Sequence, residues 1–161
     1  MRGGKIKRKR DKSSKTKLEE KFEKIYRASP DIIILTRFED GKIADVSDAF
    51  EKIIGYSPEE FIGRTSAELY VNPDDSSRIL SILRRNGKAR NFETLFKTKS
   101  GEKVNILINS ELIEIDGELY IVSVLRDITE LKRFEEELKR ALEELNFSNK
   151  VLSECTGTLV L

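Results

Sequence analysis

Any chemistry in this 161-residue chain must be done by carboxylates, lysines, arginines and hydroxyls, because the sequence holds no histidine and a single cysteine, Cys155. Without imidazole there is no serine or cysteine nucleophile paired to a histidine base, no histidine-ligated zinc and no phosphoacceptor histidine. A glycine-rich phosphate loop is missing too, since the nine glycines fall singly at turns apart from Gly3-Gly4. The neighbouring carboxylates Glu59-Glu60 and Asp74-Asp75 have the types needed for acid and base work. Each pair, however, follows a cap-proline step, Ser57-Pro58 or Asn72-Pro73, where acidic residues stabilise the first turn of a helix. The expectation is a chain that is not an enzyme, with any kinase activity left to missing or partner domains.

A lone cysteine excludes an internal disulfide framework, and the Met1-Arg2-Gly3 start lacks the apolar stretch of a signal peptide, so the expected location is the cytoplasm. No apolar run approaches the length of a membrane span. The net charge of +1 hides a split along the chain. Residues 1–17 carry nine Lys or Arg and one Asp, leaving 21 basic and 28 acidic residues in the acidic remainder. The run Lys5-Ile6-Lys7-Arg8-Lys9-Arg10 has the charge to meet nucleic acid, but a basic arm without aromatic residues reads first as a solvated, disordered tail.

The elements follow from periodicity and caps. Leu18, Phe22, Ile25 and Tyr26 recur at helical spacing, predicting an amphipathic flanking helix over 18–29 that packs on the domain or on a dimer mate. Ser29-Pro30 breaks it, Asp31 to Thr36 reads as a strand, and Asp40-Gly41 turns the chain into a second strand, Lys42 to Val46. Between 47 and 86 the signals are short capped helices. Ser47 is expected to cap a segment ending at Gly55, Ser57-Pro58-Glu59-Glu60 and Thr65-Ser66-Ala67-Glu68 both read as capping boxes, and Asn72-Pro73 opens the longest helix. Three strands follow: Asn91 to Thr98, a segment whose Val104, Ile106 and Ile108 share a face, and Leu119 to Leu125. The last is so apolar that it predicts a central strand covered on both faces. It runs through Arg126-Asp127-Ile128-Thr129 into a charged helix over 129–153 with Leu131, Leu138, Leu145 and Leu152 seven residues apart. Phe134, Ala141 and Ser148 occupy the complementary heptad positions. Such a stripe predicts pairing with a twin helix; the alternative is folding back onto its own domain.

Several motifs now occur together in order and spacing: Ala28-Ser29-Pro30-Asp31, Val46-Ser47-Asp48-Ala49-Phe50 leading to Ile54-Gly55-Tyr56-Ser57-Pro58-Glu59-Glu60, Gly63-Arg64, Asn72-Pro73-Asp74-Asp75, Lys99-Ser100-Gly101-Glu102 and Arg126-Asp127-Ile128-Thr129-Glu130. In these the chain resembles a PAS domain of the sensory-box type over roughly Leu18 to Leu131. The resemblance implies an α+β fold: a five-stranded antiparallel sheet of order 2-1-5-4-3, with short helices on one face enclosing a potential ligand pocket, the domain occupying 30–128. One departure is Ser47, where many members carry asparagine.

Within that family the missing residues narrow the pocket. No imidazole is present to ligate haem. Gly63-Arg64-Thr65-Ser66 lacks the cysteine that flavin relatives place after a Gly-Arg-Asn lead, and Cys155 falls beyond the domain, away from where coumaryl-type thioesters attach. No cofactor is therefore assigned, and a small apolar or mixed ligand remains possible. Inward faces of the predicted elements nominate Ile34, Phe50, Ile54, Leu69, Ile79, Leu83, Phe96, Ile108 and Val124 as lining, though each also fits a plain core. Asp127, Ile128 and Thr129 form the expected signal junction: the resemblance implies that Asp127 pairs with a basic group, Arg64 or Arg126, while Thr129 caps the exit helix. Residues 154–161 resemble the start of a further module, cut short. The leading expectation is a sensory and dimerisation module, a homodimer with a downstream signalling domain or kinase as partner. The alternatives are a ligand-free protein interaction module and a nucleic-acid-associated regulator using the basic tail.

Overall fold

A computed structural model of the chain describes residues 16–157. The expected basic tail over 1–17, apart from Thr16 and Lys17, and the last four residues of the expected 154–161 lead-in lie outside the described residues.

Helix α1, Lys17–Ala28, starts where the Thr16 side chain accepts from the Glu19 amide at 3.2 Å. Strands β1, Ile32–Arg37, and β2, Ile43–Val46, form the expected antiparallel pair. The connecting layer holds α2, Ala49–Ile54, α3, Pro58–Phe61, a single 3-10 turn over Ser66–Leu69, and α4, Pro73–Asn86. Then come β3, Lys88–Lys97, β4, Lys103–Ile115, β5, Glu118–Asp127, and the long helix α5, Thr129–Gly157. The sheet is antiparallel throughout in the order β2-β1-β5-β4-β3, as the motif pattern implied. The β4–β5 turn needs two left-handed residues in succession, and Asp116 (φ 51°) with Gly117 (φ 80°) supplies them.

Two caps form as their residues dictate. Ser57 and Glu60 satisfy each other's amides in a full capping box, and Asn72 accepts from the Asp74 amide at 3.1 Å. Two others differ from expectation. Ser47 is fully buried, and its hydroxyl accepts instead from the Ile33 amide at 2.8 Å, tying the entry of α2 to β1. Thr65 makes no side-chain cap: its segment is only a 3-10 turn, and Glu68, its expected reciprocal partner, is drawn to Arg64 at 3.1 Å.

One face of the sheet packs on the helical layer. Ile32, Ile34, Ile106, Ile108 and Leu125 are nearly inaccessible and meet Phe50, Ile54, Phe61, Leu69 and Leu83 in one contiguous core. The opposite face differs from the sequence expectation. β5 is central, but Val124 is 39% exposed, because alternation turns Val122 and Val124 to the side away from the helices, which no described element covers. Helix α1 likewise has no buried residue. It is held by Arg27, 2.9 Å from Asp48, and by the half-buried Tyr26, while Leu18, Phe22 and Ile25 stay open to solvent.

Candidate functional site

Between the inner face of β1, β5 and β4 and the covering layer of α4 and the 3-10 turn lies a cavity of about 290 Å³. Period-2 alternation puts Ile34, Ile108 and Leu125 on its floor, and helical spacing puts Ile79 and Leu83 on its wall. Leu69 and Phe96 complete the apolar lining. Six of the nine residues nominated from sequence, Ile34, Leu69, Ile79, Leu83, Phe96 and Ile108, therefore meet around one space. Phe50 and Ile54 are fully buried but belong to solid core beneath α2. Val124 is corrected: parity sends it to the outer face, and its neighbours Ser123 and Leu125 line the cavity in its place.

What the sequence reading missed is polar. Thr36, Ser110 and Ser123 also line the cavity, and the hydroxyls of Ser110 and Ser123 lie 2.6 Å apart across β4 and β5. Their signal was present: Ser110 continues the inward series Ile106, Ile108, and Ser123 lies between inward Ile121 and Leu125. Tyr70 stacks edge-on against Phe96 at 4.8 Å, and burial, followed by the nearby Asp75 charge, raises its pKa above the ordinary tyrosine value. The charged lining residues Glu39, Asp40 and Arg84 are solvent-exposed and sit at the mouth. Among the described residues no cluster of side chains could hold a metal ion.

β5 leads out of this floor into the junction. There neither Asp127 nor Thr129 takes its expected role. Asp127 meets no base among the described residues; its Oδ1 accepts from the Thr129 amide at 2.9 Å and from the Thr129 hydroxyl, so it is Asp127 that caps the first turn of α5. The Thr129 oxygen in turn accepts from the Asn105 amide of β4 at 2.9 Å, and the Ile128 amide donates to the Asn105 carbonyl at 2.9 Å. Arg126 pairs with Asp31 at 3.1 Å and Arg64 with Glu68, which leaves neither basic candidate for Asp127. Ile128 is buried, and Lys132 reaches Glu93 of β3 at 2.7 Å. Helix α5 is thus fastened to two strands within its first turn. Along the helix Leu131, Phe134, Leu138, Leu145 and Leu152 are all more than half exposed, so the stripe does not fold back onto the domain. No helix among the described residues is long and apolar enough to cross a membrane.

A five-stranded antiparallel sheet that floors a cavity on one face and passes directly into a helix defines a class of small α+β domains. The chain belongs to the PAS domain family, whose sequence pattern it matches over residues 30–130. Its fold is similar to the PAS domain of an HTR-like protein from Haloarcula marismortui, at 25% identity and a TM-score of 0.58, covering 69% of this chain and 92% of that one. It is also similar to a PAS domain from Colwellia psychrerythraea, at 25% identity and a TM-score of 0.63, covering 70% and 98%. A PAS domain from a two-component sensor histidine kinase shares the fold at 17% identity and a TM-score of 0.61, covering 70% and 99%. No curated protein matches the chain. The PAS fold is typical of sensory modules in signal transduction.

Proposed function

We propose that this chain is a sensory and dimerisation module of a signalling protein: it takes a small ligand into the cavity and relays its presence through α5 to a downstream domain or kinase. The observation that carries the reading is the continuity of floor and exit. The strands that line the cavity, β4 and β5, are the strands whose ends hold Asp127, Thr129 and Asn105 against the first turn of α5. A guest that shifts β5 against β4 therefore acts on the helix without any intervening loop. The exposed heptad stripe supports a parallel pair of α5 helices as the form in which the signal leaves. In this reading the chain carries out no catalytic step, binds no haem or flavin adduct, and works in the cytoplasm, a setting suited to a single-cysteine chain.

Native mass spectrometry of the purified chain tests the reading in one spectrum. A dimer with additional mass is expected. A dimer at bare mass would favour a ligand-free interaction module, and a bare monomer at micromolar concentration would overturn relay through paired helices.

A further inference from the structure

The cavity's lining is divided in a way that specifies its guest. Its lining is aliphatic and aromatic, Phe96 and Tyr70 included, and no charged side chain is enclosed in it, since Glu39, Asp40 and Arg84 are exposed at the mouth. An ionised head group inside would lose its hydration with no counter-charge to replace it. Within this apolar space three hydroxyls share the inner face of the sheet: Thr36 on β1, Ser123 on β5 and Ser110 on β4. Thr36 is 4% and Ser110 2% exposed, a burial at which polar side chains need partners. The two serines form one hydrogen bond between them at 2.6 Å, in which one hydroxyl donates. The second hydroxyl proton and the remaining lone pairs are left over, so the pair can both donate to and accept from a third group. Among the described residues the only fully enclosed side-chain polar atom without a partner is the Tyr26 hydroxyl, far along the chain in α1. The cavity hydroxyls are thus either paired or open onto the space they line.

Volume sets the other bound. At about 290 Å³ the cavity lies at the lower end of the roughly 300–1,000 Å³ range of small-molecule pockets.

Resting on the reading of the cavity as a ligand site, we propose that its guest is a neutral small amphiphile: a compact apolar body carrying one hydroxyl or carbonyl that inserts at the Ser110–Ser123 pair. Three probes of nearly equal size separate the possible chemistries: cyclohexanol, cyclohexane and cyclohexanecarboxylate. Each is titrated into the 161-residue chain and followed by amide NMR shifts at Thr36, Ser110, Ser123 and Leu125. The measurement is repeated with Ser110→Ala/Ser123→Ala, which removes both hydroxyls together and leaves neither orphaned. Thr36→Val, close to the same shape, is the independent second variant.

Cyclohexanol is expected to shift these resonances, to bind about tenfold more weakly to the double variant, and to bind several-fold more weakly to Thr36→Val. Cyclohexane affinity should be unchanged or higher in both variants, and cyclohexanecarboxylate at neutral pH should bind more weakly than cyclohexanol. If cyclohexane binds but cyclohexanol is indifferent to every hydroxyl deletion, the ligand class is wrong while the cavity remains a ligand site. Tighter binding of the carboxylate would overturn the neutral class in favour of an anion drawn to Arg84. Should none of the three probes move the cavity resonances, the class and the ligand-site reading fall together.

Discussion

Asp127 shows how much one side chain can carry at a strand-to-helix boundary. Its Oδ1 holds both the amide and the hydroxyl of Thr129, and the same Thr129 oxygen holds β4 through Asn105. Removing a cap of this kind costs about 1 kcal/mol. Asp127→Ala is therefore expected to speed amide exchange at Thr129 to Lys132 roughly fivefold, with exchange in β1 and β5 unchanged. Exchange at the helix start that stayed at the wild-type rate would remove Asp127 from the coupling. Tyr70 carries a second residue-scale prediction. Its pKa is raised in the folded chain, so the stability it contributes is fully present below the ordinary value of 10 and is lost as pH rises beyond it. In urea denaturation between pH 9 and 11, Tyr70→Phe should lose stability less steeply than wild type, by up to about 1.4 kcal/mol per pH unit. Parallel pH profiles would show that the phenol is as easily ionised folded as unfolded. The identities of these residues were visible in the sequence, but their partners were not. An Asp two residues before a Thr fits a salt bridge or a cap equally well until the backbone shows that Arg126 is turned to Asp31.

At the scale of elements, local pattern was informative wherever one face of the element is buried. β3 alternates Phe92, Thr94 and Phe96 inward, and the box at Ser57 and α4 at Asn72 form with the caps their residues specify. Pattern failed where it reports composition rather than parity. The near-continuous apolar run of β5 gave the right central position but the wrong burial, because Val122 and Val124 form part of a sheet face left open in the single chain. Composition also hid Ser110 of β4 and Ser123 of β5, which look like interruptions of apolar strands until their inward positions are counted. The stripe on α5 makes its own prediction. Leu138 and Leu145 are 62% and 56% exposed, so charging them costs the monomer little, within about 0.5 kcal/mol as for other surface changes. Leu138→Glu/Leu145→Glu should convert a dimer to a monomer in sedimentation equilibrium while leaving the sheet's circular dichroism intact. A persistent dimer would move the interface to the open face of the sheet or to α1.

For the whole molecule, the question is whether cavity and helix are two properties or one. The floor strands β4 and β5 are paired continuously from Ile115 and Glu118 to Ile106 and Asp127, and Ser110 meets Ser123 midway along that ladder. Four residue pairs further along it the same strands hold the start of α5. A guest hydroxyl that competes for the Ser110–Ser123 bond alters the ladder on which the helix is mounted, and a ladder responds by sliding or twisting as a unit rather than one residue at a time. Coupling of this kind is reciprocal: if occupancy of the cavity changes the stability of the first turn of α5, loosening that turn must change affinity in the cavity by the same factor. Cyclohexanol binding should therefore alter amide exchange at Thr129 to Lys132 in wild type, and Asp127→Ala should shift cyclohexanol affinity by the matching ratio although Asp127 lines no part of the cavity. Affinity that is identical in wild type and Asp127→Ala, alongside an exchange pattern blind to cyclohexanol, would mean that ladder and helix move independently. The signal would then have to leave by the open face of the sheet.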